Sequence, residues 1–272
     1  MNLREFHQHF IDGLTPPWLE GDKAGNTCDC IISGDGDKPV ETVLVSWIAS
    51  MAALQAAVDR RVDLLLVHEP VFYGLTADVF PDVLKDCPAV APKARFIADK
   101  GIAVMRLHDR WDIWPDYGIP YAWAKFLGFT SPPVAIHKTI WPGTLHRYDM
   151  PPMRLGDFAM QVASRTAAVG EPHPLVVGDL DQMVSKVGVG TGCGCQVMGF
   201  RELGCDVSMI CDDGSCYWHE IQRWEDDGHP VIRVNHGTSE EPGMATLAQY
   251  INEKMQPVRA EYLPVARKFH QM

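Results

Sequence analysis

The chain has 272 residues and a formal net charge of −11, from 35 acidic and 24 basic side chains. That length suffices for one large or two small domains with a buried core, and 46% hydrophobic against 22% charged residues exclude disorder as the default. The acidic balance argues against a nucleic-acid surface, which needs clustered Lys and Arg. No apolar run approaches the roughly 20 residues of a membrane span, and Met1–His7 lacks the apolar core of a signal peptide. A cytoplasmic protein with no membrane and no nucleic-acid partner is expected. Of the eight cysteines, Cys28 and Cys30 form a C-x-C pair, as do Cys193 and Cys195, while Cys205, Cys211 and Cys216 are spread further along. None gives the C-x-x-C of a zinc ribbon, so buried thiols are expected.

In chain order, Thr42 to Ile48 reads as a strand, Met51 to Arg60 as an Ala-rich helix and Asp63 to Val67 as the next strand. Pro92 to Asp99 is helical, Gly101 ends it, and Ile102 to Leu107 is a strand. Ile119 to Leu127 is a helix that stops at Gly128, and the Pro-, Trp- and His-rich stretch to Pro152 reads as irregular connection or short edge strands. Leu155 to Val169 is helical, and Leu175–Val177 and Val184–Val189 are strands before a Gly-rich turn. Gln196–Leu203 (helix), Asp206–Ile210 (strand), Tyr217–Trp224 (helix), Val231–Val234 (strand) and Gly243–Asn252 (helix) complete the pattern. The alternation implies an α/β protein with a mainly parallel sheet covered by helices. Its domain organisation reads as a first α/β half over 1–130, a Pro-rich connection over 131–152 and a second half over 153–272.

Three strands end alike. Leu64–Val67 runs into His68-Glu69-Pro70; Ile102–Leu107 runs into His108, with Asp112 four residues on; Val231–Val234 runs into Asn235-His236, with Glu240 four residues on. Ligands of open α/β sheets bind beyond the carboxyl ends of strands, and imidazole with carboxylate there is a divalent-metal donor set. Singly, each has a plain alternative. His68 could be a hydrogen-bonded core histidine, Glu69 a turn residue, His108 and Asp112 a local pair, and Glu240 a cap for a helix starting near Pro242. His236, read as lying in a loop, has no apolar face to fill. Coincidence at three strand ends is harder to accept than any single alternative, so His68, Asp112, His236 and Glu240 are expected to converge in one cleft.

The run Leu64 to Phe72 resembles the strand and H-H-P-hydrophobic-aromatic motif of the Nif-three-like dinuclear-metal-centre family, part of which is described as type 2 GTP cyclohydrolase I. His108-x-x-x-Asp112 with Tyr117-Gly118 is similar to its central H-x-x-x-D segment, Val187 to Gly194 to its Gly-rich turn, Gly214 to His219 to its G-x-x-x-x-H stretch, and His236-x-x-x-Glu240 to its closing motif. The matches keep the family's order from about Thr42 to Ala248. The resemblance implies metal ligands at His68, Glu69, Asp112, His236 and Glu240, and two divalent ions (Mn, Fe, Zn or Mg). It also implies a three-layer α/β/α fold with two similar, intertwined halves, and a homohexamer. Glu69 stands where the family has a second histidine, and Asn235 where it commonly has glycine; a carboxylate at 69 favours harder cations or weakens one ion's place.

Such a centre suits a metal-dependent hydrolase acting on a small molecule, a nucleotide such as GTP or a phosphoester. His108 and His219, outside the implied ligand list, are candidates for proton transfer or phosphate contact, or for orienting a ligand. The Gly190–Gly194 turn could present N–H groups to an anion, but lacks the Lys-Ser/Thr of a P-loop, so no dedicated cofactor-binding residue is assigned. A metal-binding interaction or regulatory protein, and a metal-storage protein, are the alternatives. The tryptophans Trp111, Trp114, Trp123 and Trp141 suggest subunit contacts.

Overall fold

Apolar strands alternating with amphipathic helices form two mixed sheets in the computed structural model, which describes residues 1–19, 27–73, 88–215 and 217–265. Cys216 lies outside the described residues, as do the side chains of Tyr217 and Trp218. The chain divides into two compact units, Met1–Tyr117 with Met244–Met272, and Gly118–Gly243. The proline-rich stretch from 131 to 152, expected as a connection, lies inside the second unit, and the chain re-enters the first after Gly243.

In the first unit the strands β1 (Cys30–Ser33), β2 (Thr42–Ser46), β3 (Leu64–Val67) and β4 (Val104–Arg106) are joined by β11 (Arg259–Tyr262), in the order β1-β4-β3-β2-β11. β2, β3 and β4 pair in parallel, and the fully buried Leu64–Val67 run is what a central parallel strand requires. β11 pairs in parallel with β2; its residues Arg259 to Tyr262 are half-buried or exposed, so no apolar run announces it. The helices α2 (Met51–Arg60) and α3 (Val90–Lys100) supply Leu54, Ala57 and Ile97 to a core with Leu44, Leu65, Val67 and Val104. α1 (Leu3–Gly13), whose Leu3, Phe6 and Phe10 recur at helical spacing, starts at a capping box in which Asn2 and Glu5 bond each other's backbone N–H. It buries Phe6 and Phe10.

The second unit has strands β5 (Ala135–Ile136), β6 (His146–Arg154), β7 (Leu175–Val177), β8 (Met183–Val189), β9 (Val207–Cys211) and β10 (Val231–Val234), in the order β5-β6-β8-β9-β10-β7. β8, β9 and β10 are parallel. The helices α4 (Ile119–Leu127) and α5 (Leu155–Thr166) place Trp123, Leu127, Phe158 and Val162 against Val187, Val207, Met209 and Ile232. α6 (Val197–Glu202) and α7 (Gln222–Asp226) bring Phe200 and Trp224 into a separate core with Ile210 and Val231. Successive residues of β10 thus serve different cores, the period-2 signature of a sheet covered on both faces.

Two expectations are corrected here. The proline-rich stretch holds a nine-residue strand, β6, paired with both β5 and β8. It tolerates Pro151 and Pro152 because they fall where its register shifts, between Asp149 and Met153, and no ladder N–H is needed. Of the four tryptophans, Trp111, Trp114 and Trp123 are core residues, and Trp141 alone among them is exposed, so the first three are not available for subunit contact. Trp111 and Trp114 pack with Phe10 and Tyr250 in the first unit. No described helix is long and apolar enough to cross a membrane.

Candidate functional site

In the first unit, β3 and β4 are parallel neighbours, so the residues following them emerge side by side. The His68 and His108 rings stack 4.4 Å apart, tilted by 17°. His68 is fully buried, and its Nδ1 lies 3.0 Å from the carbonyl of Leu107. A carbonyl only accepts, so Nδ1 carries a proton, and when the ring is neutral its Nε2 is an acceptor with a lone pair. That nitrogen lies 3.3 Å from Asp112 Oδ1. Two acceptors at that distance repel unless a proton or a cation stands between them.

Asp112 sits in a short 3₁₀ turn, Trp111–Ile113, that also brings its Oδ2 to 3.5 Å from His108 Nδ1. His68, His108 and Asp112 each offer a donor atom within 4.8 Å of the others. Glu69 follows His68, its N–H donating, like that of His68, to the carbonyl of Trp47, and its charge acts on His108. Burial opposes the charged form of His108, but the charge of Asp112 and the hydrogen bond with Asp109 outweigh it, pushing the ring up to about 9. Desolvation works against the Asp109 carboxylate too, yet His108 and the donors Cys28 N–H and Thr27 hydroxyl hold it at about 2.

The loop carrying these groups is fixed from a distance. The buried Asp29 accepts the His108 N–H at 2.5 Å, the Arg110 N–H at 3.2 Å and the Arg110 guanidinium at 2.8 Å. Sequence reasoning missed Asp29, and nothing in the pattern of residues links it to a segment 79 positions away.

In the second unit His236 is not in a loop. It is the first residue of the helix α8 (His236–Lys254), which contains Pro242 rather than starting there. The helix can begin early because carboxylates from elsewhere take up its first donors. Asp212 accepts the His236 N–H at 2.6 Å, and Glu171 accepts that of Asn235 and the Thr238 hydroxyl. His236 and Glu240 therefore stand one turn apart on the same face, Nε2 to Oε1 2.8 Å. Glu240 is buried, and the same oxygen accepts from Thr191, whose hydroxyl is 2.6 Å from that of Ser239.

The Gly-rich turn lies against this pair. Gly192 has φ +59°, and a Cβ there would stand 3.3 Å from Glu240 Oε1 and 3.4 Å from His236 Nε2. Glycine is needed both for the left-handed backbone and to keep the donors uncovered. His219 lies in a single π-turn, Tyr217–Ile221, half exposed, with Nδ1 3.2 Å from Glu220.

The residues so arranged fit divalent metal. Imidazole nitrogens and carboxylate oxygens, partly stripped of water and aimed at one another, are the donors that first-row divalent ions select, and His68 has the backbone bond that typically orients a ligating ring. The profile of the Duf34/NIF3 (NGG1p interacting factor 3) family matches residues 1–267.

The chain belongs to the Duf34/NIF3 family.

This NIF3-family chain is similar to a protein of Allochromatium vinosum named GTP cyclohydrolase 1 type 2 homolog, 23% identical over 226 residues and 81% of each chain. Its fold matches the crystal structure of the Staphylococcus aureus hypothetical protein SA1388 with a TM-score of 0.78 at 18% identity, covering 100% of this chain and 99% of that one. It also matches a Bacillus cereus protein related to NIF3, with a TM-score of 0.75 at 15% identity over 100% and 99%. At these identities the structures establish the α/β fold.

Proposed function

We propose that this protein binds two divalent metal ions through His68, Glu69, Asp112, His236 and Glu240, and that it is a metal-dependent hydrolase of a nucleotide or phosphoester. The observation that carries the reading is the geometry of two imidazole–carboxylate pairs, His68 with Asp112 and His236 with Glu240, whose Nε2 atoms lie 3.3 and 2.8 Å from a carboxylate oxygen. The nucleotide is suggested by the name of the Allochromatium vinosum relative. When bound, such ions would supply a Lewis acid that polarises a substrate oxygen.

The chain's own groups do the rest. Thr191 and Ser239 hold Glu240 in place, and Leu107 fixes the His68 ring. His108, set between Asp109 and Asp112, is placed for proton transfer or for contact with a phosphate. His219, half exposed, is a second candidate for those roles. Subunits of this kind would assemble as a homo-oligomer, a hexamer by family resemblance, which light scattering at micromolar concentration would detect. Elemental analysis of the purified protein, followed by a hydrolysis screen of nucleotides and phosphoesters with and without added metal, tests the proposal. Two metal equivalents and metal-dependent turnover support it. The family description, which names an interacting factor, favours a second reading, a metal-binding partner protein without turnover. That reading gains if metal binds, no substrate turns over and ligand variants still bind a partner.

A further inference from the structure

We infer that Cys28, His108 and Asp109 form a further site for a zinc-class, thiophilic divalent ion in the first unit, sharing His108 with the His68–Asp112 cluster. Each residue offers one donor atom, and the three donors lie within 4.8 Å of one another. A tetrahedral ion with bonds of about 2.0–2.3 Å spaces its ligands by roughly 3.3–3.8 Å, so closure asks for a contraction of no more than about 1.5 Å. One sulfur, one nitrogen and one oxygen, with the fourth position open, is a donor set that soft-to-borderline ions prefer and that magnesium does not.

The backbone is already arranged for it. Asp109 Oδ2 accepts the Cys28 N–H at 2.8 Å and the Thr27 hydroxyl at 3.1 Å, which pins the cysteine loop to the histidine loop. Asp29, next to Cys28 in the chain, accepts the His108 N–H and pairs with the Arg110 guanidinium. His7 adds a ring nitrogen 3.0 Å from the Asp29 carbonyl. Charge does not forbid the ion. Asp29 pairs with Arg110 at 2.8 Å, and the Arg106 guanidinium, whose field favours the Cys28 thiolate, is directed at the His68 carbonyl through Nε.

Without an ion the thiol is protonated, since burial pushes Cys28 up to about 12. Binding would form sulfur–metal and nitrogen–metal bonds and release the Cys28 thiol proton and the His108 ring proton to solvent, with no change of oxidation state. An ion here occupies His108 and withdraws it from the proton-transfer role proposed above, so excess zinc would oppose turnover. The effect on turnover rests on the proposed function, whereas ion binding here uses neither His236 nor Glu240 and is tested without them.

The test is spectroscopic. The protein is loaded with Co²⁺ and read for thiolate-to-cobalt charge transfer in the near ultraviolet, in wild type, Cys28→Ser and Glu240→Ala. The inference expects the band in wild type and in Glu240→Ala, and its loss in Cys28→Ser with one metal equivalent fewer. Absence of the band in wild type overturns it, as does a band that survives Cys28→Ser, which would come from other thiols. X-ray absorption on zinc-loaded wild type reads the same question without any variant. A sulfur scatterer at about 2.3 Å supports the site, and a shell of nitrogen and oxygen alone refutes it.

Discussion

The two units present metal-type donors by different means. In the first, His68, His108 and Asp112 come from loops after adjacent parallel strands, and their positions follow from the sheet. In the second, His236 and Glu240 share one helical turn, and their spacing follows from the helix, while their place depends on what holds its first residues. Loop donors thus depend on long-range staples that set backbone direction. Helical donors depend on the capture of a few N–H groups and on an uncovered approach at Gly192.

The largest effect should come from the first unit's staple. Asp29→Ala would leave the buried Arg110 guanidinium without its 2.8 Å partner and release the His108 N–H. Breaking a buried pair in this way costs about 3–5 kcal/mol. Urea unfolding should show it, and a loss below about 1 kcal/mol would mean that the loop does not need the staple.

Glu171→Ala is the second unit's counterpart. It strands the Asn235 N–H and the Thr238 hydroxyl, for about 2–3 kcal/mol of destabilisation. If the capture of these groups is what positions His236, metal affinity should fall as well, measured by competition with a chelator. Unchanged affinity in a destabilised variant would separate the helix start from the donor.

The same comparison explains what the sequence discloses. Helices α2 and α4 match the periodic stretches at both ends, and strands β2, β3, β9 and β10 follow their apolar runs to within two residues. The strand-end donors His68, His108 and Asp112 were legible because the apolar run before each marks where a sheet ends. His236 reads as a loop residue because Pro242 looks like a helix start, and the carboxylates that allow an earlier start, Asp212 and Glu171, lie 24 positions from His236 and 64 from Asn235. Thr191, Ser239 and Asp29 act through tertiary hydrogen bonds with no local signature. The strand β6 was hidden by its prolines, and β11 by its polar residues.

A smaller, pH-dependent effect should come from two buried histidines of the second unit. Burial pushes His146 and His229 down to about 4, joined at His229 by the nearby Arg201 charge. Between pH 6.5 and 4 the unfolded chain therefore binds protons that these two folded histidines refuse, so their contribution to stability falls as pH is lowered through that window and is constant above it. Each histidine should remove about 1 kcal/mol at pH 5.5. His229→Gln, which keeps a partner for Ser208 (now 2.8 Å from Nε2), should flatten the profile by one histidine's share. A profile unchanged in that variant would remove His229 from the explanation.

Glu69 sharpens the comparison at the residue where this chain departs from the family pattern. Glu69→Ala should cost one metal equivalent and Glu69→His should restore it with a preference shifted towards Zn²⁺. Equal metal content in all three proteins would make Glu69 a turn residue.

The central claim, that both units supply ligands to bound divalent metal, is tested most directly by elemental analysis of wild type, Asp112→Ala and Glu240→Ala purified in parallel and confirmed folded by circular dichroism. The account predicts two equivalents in wild type and a lower content in each variant, one from each unit. Wild-type protein that stays metal-free after exposure to Mn²⁺, Fe²⁺ and Zn²⁺, or variants that keep the full wild-type content, would contradict it.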